Sequence, residues 1–326
     1  MRRRIAVVLA AFSLTLAGCG QQTLVPGLPP GFYPSALAYD AARDRYLVGS
    51  FETGEVAVLD RSGRRLGSLR AGKPGERVLR MRIQGRTLWI ALSDALEAVE
   101  LDAPLAPRRV YRLQASVRYA DIDADTGGRL YVLDANHRAL LVFDPERRAA
   151  QRIADLPGGN EAAPARCAPS GVPQTRTQGA LLVMPDGRTL LAALDDRMYR
   201  VDAHAGTVAE VPLRAPLTYV TQLFYRGAPD GRHEVLAVRG EVSRITRLQW
   251  DASFSQVFAQ ESFRTVAGAP IVAAYDGNAL RMLLGSLHHH PLYCGDGRPN
   301  VPLRLAEYRP AAAEPPRWMI AERTPD

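Results

Sequence analysis

The side chains best suited to chemistry fall at turn and loop positions of this 326-residue chain. His288, His289 and His290 are consecutive, and Asp296 follows shortly after. Neighbours on an extended segment point to opposite faces, so only His288 and His290 could share a side. With Asp296 or His137 as a third ligand they would form an imidazole–carboxylate set suited to a transition metal. The simpler expectation is a polar rim loop with solvated imidazoles. Asp195-Asp196 offers two carboxylates, but neighbours at a strand end diverge into solvent. Asp134 and His137 have turn spacing as well as the spacing of an acid–base pair. No nucleophile elbow, P-loop, dinucleotide fingerprint or H-E-x-x-H appears, so no motif nominates a catalytic residue.

The first residues carry a different chemistry. Arg2, Arg3 and Arg4 precede an apolar run from Ile5 to Leu16, and Leu16-Ala17-Gly18-Cys19 follows. A basic patch, a short apolar stretch and small residues before a cut are the parts of a secretory signal. The run is 12 residues long, whereas a bilayer-spanning helix needs about 20. Leu-Ala-Gly-Cys resembles the bacterial lipobox. The resemblance implies that residues 1–18 are a signal peptide, cleaved before Cys19. The Cys19 thiol and new amine would then carry acyl chains such as palmitate, which together anchor stably to a membrane. Gly20, rather than an acidic residue, implies outer-membrane export in a Gram-negative cell, with the protein facing the periplasm. Residues 19–32 then read as a lipidated tether and 33–326 as the folded domain. In an exported chain Cys167 and Cys294 read as one disulfide, with two unpaired thiols as the alternative. Its long loop would contribute roughly 4 kcal/mol in the chain-entropy picture.

Net charge is +7, and three of the positive charges lie in the leader. The remaining excess is interspersed with acids, as in Arg43-Asp44-Arg45. There is no basic block of the kind nucleic-acid binding requires. Lys73 is the only lysine, so arginine abundance reflects a composition bias and individual arginines carry little functional information.

Six internal segments position these groups. Tyr46–Ser50, Leu88–Leu92, Leu130–Asp134, Leu190–Leu194, Val235–Arg239 and Met282–Ser286 share an apolar core. Their starts are 42, 42, 60, 45 and 47 residues apart. The longest gap holds Asp155–Gln178, a Pro/Gly-rich insertion containing Cys167. Each core is preceded by a short apolar strand and a turn such as Pro185-Asp186-Gly187-Arg188, and followed by an alternating strand such as Val56–Leu59. Short strands at a period near 45 predict an all-β, six-bladed β-propeller, with a seven-bladed propeller or a sandwich as alternatives. The segment after Pro310 reads as a linker and one more strand around Arg317–Ile320, expected to complete the last blade.

Asp186-Gly187-Arg188-Thr189-Leu190 and Gly128-Arg129-Leu130-Tyr131-Val132 resemble the turn-and-strand motif of the senescence-marker-protein/gluconolactonase-like superfamily. Asp134–Asp144 is similar to an NHL-type repeat. The resemblance implies a funnel where the innermost strands begin, placing Ser35, Arg80, Tyr119, Asp121, Gln178 and Gln222 on its rim, with Asp195 in an adjoining loop. It places Cys167 and Cys294 in loops of the same face. It also implies a divalent cation, calcium, zinc or manganese, held by strand-start carboxylates and amides. At those positions this chain has Ser35, Asp121, Gln178 and the Ala269-Pro270 pair. Only Asp121 is ionised, too little charge for a tight calcium site. The sequence therefore favours a membrane-anchored envelope propeller that binds a small-molecule ligand or an envelope protein without catalysis. A metal-dependent lactone or ester hydrolase is the alternative.

Overall fold

In the computed structural model the described residues are 22–25, 27–29, 31–73, 75–113, 119–158, 179–227, 233–266, 268–286, 303–309 and 319–322. The leader, Cys19, Cys167, Gln178, His288, His290, Cys294 and Asp296 lie outside them. Among the described residues there is no helix long and apolar enough to cross a membrane.

The chain begins with β1 (Gln22–Leu24). The first blade then runs β2 (Pro34–Asp40), β3 (Arg45–Ser50), β4 (Val56–Leu59) and β5 (Arg65–Arg70). The second is β6 (Val78–Gln84), β7 (Thr87–Leu92), β8 (Leu96–Glu100) and β9 (Arg109–Tyr111). The third is β10 (Tyr119–Ala124), β11 (Leu130–Asp134), β12 (Ala139–Asp144) and β13 (Ala149–Asp155). The fourth is β14 (Gly179–Val183), β15 (Thr189–Leu194), β16 (Arg197–Asp202) and β17 (Val208–Glu210). The fifth is β18 (Val220–Gly227), β19 (His233–Arg239), β20 (Arg244–Trp250) and β21 (Val257–Thr265). The sixth contains β22 (Ala269–Tyr275), β23 (Leu280–Gly285) and β24 (Arg304–Tyr308). All six repeat cores lie on the second strand of a blade, and the described residues form the six-bladed β-propeller that the repeat spacing predicts.

Core packing explains why those second strands read as continuous apolar runs rather than alternating ones. Each blade is covered on both faces by its neighbours. Leu191 and Ala193 face the fifth blade, in a cluster with Val235, Ala237 and Leu248. Leu190, Ala192 and Leu194 face the third, with Tyr131 and Leu133. The ring closes where Leu283 and Leu305 of the sixth blade pack on Leu37, Tyr46 and Val48 of the first. Blades approach closely enough to need glycine at β14: a Cβ on Gly179 would lie 3.0 Å from Ala120 Cβ and Leu133 Cδ2.

Ring closure differs from the sequence expectation. β1 pairs antiparallel with β24 and supplies the fourth strand of the sixth blade. β25 (Met319–Glu322) instead adds a fifth strand to the fifth blade, along β21. The free edge of β24 is taken by the N-terminal strand, so the tail falls to the next open edge. The propeller thus begins at Gln22, inside the segment read as a tether. Val25 N–H donates to Leu303 O at 3.0 Å; the two-residue alternation of an antiparallel pair then puts Thr23 N–H on the ladder too. Thr23→Pro removes that donor. It is expected to lower the melting temperature further than truncation before Met319 does, and differential scanning calorimetry of the two variants checks this.

Candidate functional site

The six first strands touch one another in sequence around an axis, and the last touches the first. The channel they line has an upper mouth, where these strands begin, and a lower mouth, where they end. Five of the six, all but β14, carry a register shift near their start, at the second residue of β2, β6, β10 and β18 and the third of β22. A bulge there re-aims every following side chain. Ser35 and Thr221 are the bulged residues of β2 and β18, and their hydroxyls bond inward to Gly49 O (3.2 Å) and Val238 O (3.2 Å).

An innermost strand has no neighbour on its axial side, so its outward-facing amides and carbonyls need partners from elsewhere. Side chains of the adjoining blade provide them. Ser35 Oγ donates to Val78 O at 2.5 Å, and Gln84 Nε2 donates to Asp125 O at 2.8 Å. Leu181 N–H donates to Asp121 Oδ2 at 2.9 Å, and Val183 N–H to Asp123 Oδ2 at 2.8 Å. Gln222 does both jobs at once: its Nε2 donates to Ala273 O (2.8 Å) and its Oε1 accepts from Ala273 N (2.6 Å). Ser35, Asp121 and Gln222, nominated from the sequence as funnel residues, therefore clip one blade to the next.

Two arginines of β6 complete a charge ladder. Arg80 Nε lies 3.5 Å from Asp121 Oδ1, and Arg82 Nε lies 2.6 Å from Asp123 Oδ1. Burial pushes the Asp121 carboxyl up to about 7, against the pull of Arg80 and the Leu181 and Ile122 amides. Burial raises Asp123 as well, with Arg82 and the Val183 amide opposing it. Tyr119 is buried, and its hydroxyl has no hydrogen-bond partner among the described residues. Burial, with Asp94 and Asp134 nearby, makes that phenol harder to ionise.

The resemblance implied a divalent cation at this mouth, and the residues present do not fit one. Asp121 Oδ1 accepts from Ile122 N at 2.9 Å, Oδ2 accepts from Leu181 N, and the Arg80 guanidinium already faces the carboxylate. Ser35 Oγ gives its single proton to a backbone carbonyl, and a neutral hydroxyl brings no charge to a cation. Among the described residues no three His, Cys, Asp or Glu side chains are grouped as a metal set. Asp195 is exposed and pairs with Arg138 of the third blade. His137 Nδ1 sits 2.6 Å from Asp134 Oδ2 with its ring half-exposed, and Asp134 also caps Asn136 N at 3.0 Å, as in a turn. The histidine pair with Asp296, the Cys167–Cys294 pairing and Gln178 lie outside the described residues.

Open space also lies at the other end. A cavity of about 330 Å³ occupies the lower mouth, walled by residues of β6, β10, β14, β18 and β22. Arg82, Leu182, Phe224, Tyr225 and Tyr275 carry its character. The sequence offered one faint signal for it. Phe224-Tyr225 and Ala274-Tyr275 place an aromatic ring late in two of the six first strands, where a surface strand would turn polar.

No protein-family model matches the chain, and no curated protein is similar to it in sequence beyond chance. Solved structures do match the fold. The major allergen Mala s 1 of Malassezia sympodialis is 10% identical, with a TM-score of 0.60 over 88% of this chain and 95% of that one. An auxiliary nutrient binding protein from Bacteroides thetaiotaomicron is 10% identical, with a TM-score of 0.58 over 85% of this chain and 70% of that one. A calcium-binding protein, regucalcin, from Agrobacterium tumefaciens is 12% identical, with a TM-score of 0.56 over 93% and 99%. At such identities the likeness is one of fold.

Proposed function

We propose that this chain is a non-catalytic binding propeller, tethered through acylated Cys19 to the periplasmic face of a bacterial outer membrane. It holds a small-molecule ligand or an envelope protein. The observation that carries the reading is the use made of the upper-mouth side chains. Asp121 accepts a backbone amide on each carboxylate oxygen and faces Arg80, and Gln222 is bonded both ways to Ala273, so neither presents the unopposed lone pairs that a general base or a metal ligand needs. A binding surface has no such requirement. The nutrient binding protein that shares the fold lends the reading support from a relative of different sequence.

Two measurements test it. Cells fed labelled palmitate should incorporate it into the protein, and Cys19→Ser should abolish incorporation and release the protein from the membrane fraction. Label retained in Cys19→Ser, or a soluble wild type, overturns the anchor. Elemental analysis of the untagged protein after incubation with calcium, zinc or manganese should find no stoichiometric cation, and a lactone and ester screen should find no turnover. Turnover lost in Asp121→Asn overturns the non-catalytic reading.

A further inference from the structure

The lower mouth of the channel is built differently from the upper one. Arg82 is rooted in the interior, where Asp123, itself 2% exposed, holds its Nε at 2.6 Å. Two backbone amides fix that carboxylate in turn: Ala124 N–H on Oδ1 at 2.8 Å and Val183 N–H on Oδ2 at 2.8 Å. The Arg82 side chain is 37% exposed and borders the 330 Å³ cavity, and no hydrogen bond to a described residue occupies its Nη atoms. A planar fork with one side anchored and the other facing a cavity is suited to a carboxylate.

The remaining walls say what the carboxylate is attached to. Leu182, Val183, Met184, Pro185 and Phe224 are apolar. Tyr225 and Tyr275 present rings rather than hydroxyls, because Tyr225 Oη is held 2.8 Å from His233 Nδ1 and Tyr275 Oη donates to Gly277 O at 2.8 Å. Asp125, the acidic group in the wall, is neutralised by Arg129, whose Nε lies 2.7 Å from Oδ2 and whose amide N–H donates to Oδ1. A sugar would need polar partners around its whole circumference, and beyond the charged pairs and the engaged tyrosine hydroxyls the described wall offers one further hydroxyl, Thr126. Arg82, paired with Asp123 through Nε, is the guanidinium whose Nη atoms face the cup, and in a largely apolar, aromatic space of this size it matches a ligand with a single anionic head and a compact body.

We propose that the lower mouth binds a small monocarboxylate with a compact apolar body, its carboxylate on Arg82 and its body against Phe224, Tyr225 and Tyr275. The inference rests on reading the chain as a binding propeller, and names the ligand class and the mouth.

Calorimetric titration of the full-length protein in lipid nanodiscs, with sodium benzoate and sodium cyclohexanecarboxylate as probes and empty nanodiscs as the blank, tests it. Saturable binding is expected for one or both acids, with benzamide and cyclohexanecarboxamide weaker by about tenfold or more. Ala124→Leu, which fills the mouth and leaves the Arg82–Asp123 pair in place, should reduce acid binding by a similar factor. Arg82→Gln should do so too, judged at a temperature where its thermal melt shows it folded; if it does not fold, Ala124→Leu and the neutral amides decide. Absence of saturable acid binding overturns the proposal, as does equal binding of acid and amide or binding unchanged in Ala124→Leu. Failure here leaves palmitate labelling and protein docking untouched, and failure of the labelling leaves this site standing, so the two readings fall separately.

Discussion

Arg281→Met is expected to lower the melting temperature by roughly 10 °C. Arg281 stands on β23 of the last blade and reaches the first. Its Nη1 lies 3.0 Å from Tyr46 Oη and 2.5 Å from Glu307 Oε2, and its Nη2 lies 2.7 Å from Asp276 Oδ2. The guanidinium also sits 4.6 Å from the Tyr39 ring centre. Both it and Asp276 are less than a tenth exposed. Methionine keeps the apolar stem and removes the charge, leaving buried Asp276 without its cation and Glu307 with only the exposed Arg309. Breaking a buried pair in this way costs about 3–5 kcal/mol, and in a domain of this size each kcal/mol moves the melt by about 2–4 °C. Arg197→Gln is the control. Its pair with Glu210 is half-exposed on both sides, and such pairs contribute about 1 kcal/mol or less. Scanning calorimetry of both variants measures the difference. Equal melts would show that the seam between first and last blade is held by its apolar cluster alone.

Asp121 makes folding stability fall as pH rises between 5 and 8. Its carboxyl titrates at about 7 in the folded chain, because burial outweighs Arg80 and the two amides, and near 4 when unfolded. The fold therefore favours the protonated form. The stability this confers is complete below about pH 4 and is lost as pH rises through 7, on the order of 3 kcal/mol across the window. Asp123, raised by the same cause, adds to the slope. Asp186 and Asp276, held below their usual range by backbone amides and arginine despite burial, act with the opposite sign. Their stabilisation is lost only as pH falls through and below the ordinary carboxylate range, outside this window. Chemical denaturation at pH 5 and pH 8 should therefore show a loss in the wild type that Asp121→Asn largely removes. The change in slope is the readout, since an Asn amide cannot accept from both the Ile122 and the Leu181 N–H, which lowers stability of the variant at both pH values. A wild type equally stable at both ends would show that Arg80 and the amides keep Asp121 ionised throughout.

How far the sequence carried these conclusions can be seen blade by blade. Tyr46, Leu88, Leu130, Leu190, Val235 and Met282 mark six second strands at nearly even spacing, and six blades follow because an apolar strand of that length must be covered on both faces. The turn at Pro185–Arg188 was legible for a local reason: Asp186 accepts backbone N–H bonds within three residues, so its geometry is encoded where it stands. The roles of Ser35, Asp121 and Gln222 were not legible. A register shift at the second residue of most first strands turns the following side chains toward a neighbouring blade, and a period-two pattern carries no record of where an extra residue is inserted. Ring closure was likewise out of reach. Two short terminal strands compete for open edges, and which edge each takes depends on where the superposed blades leave a gap. The Arg82 cup assembles from five strands spaced across nearly two hundred residues, and nothing local ties Arg82 to Tyr225 or Tyr275. By itself, the sequence determined the repeating unit and its turns, because those depend on neighbours along the chain. The tertiary structure decided which side chains clip neighbouring blades and which line the lower mouth, because that depends on bulges and contacts between residues brought together only by closing the ring.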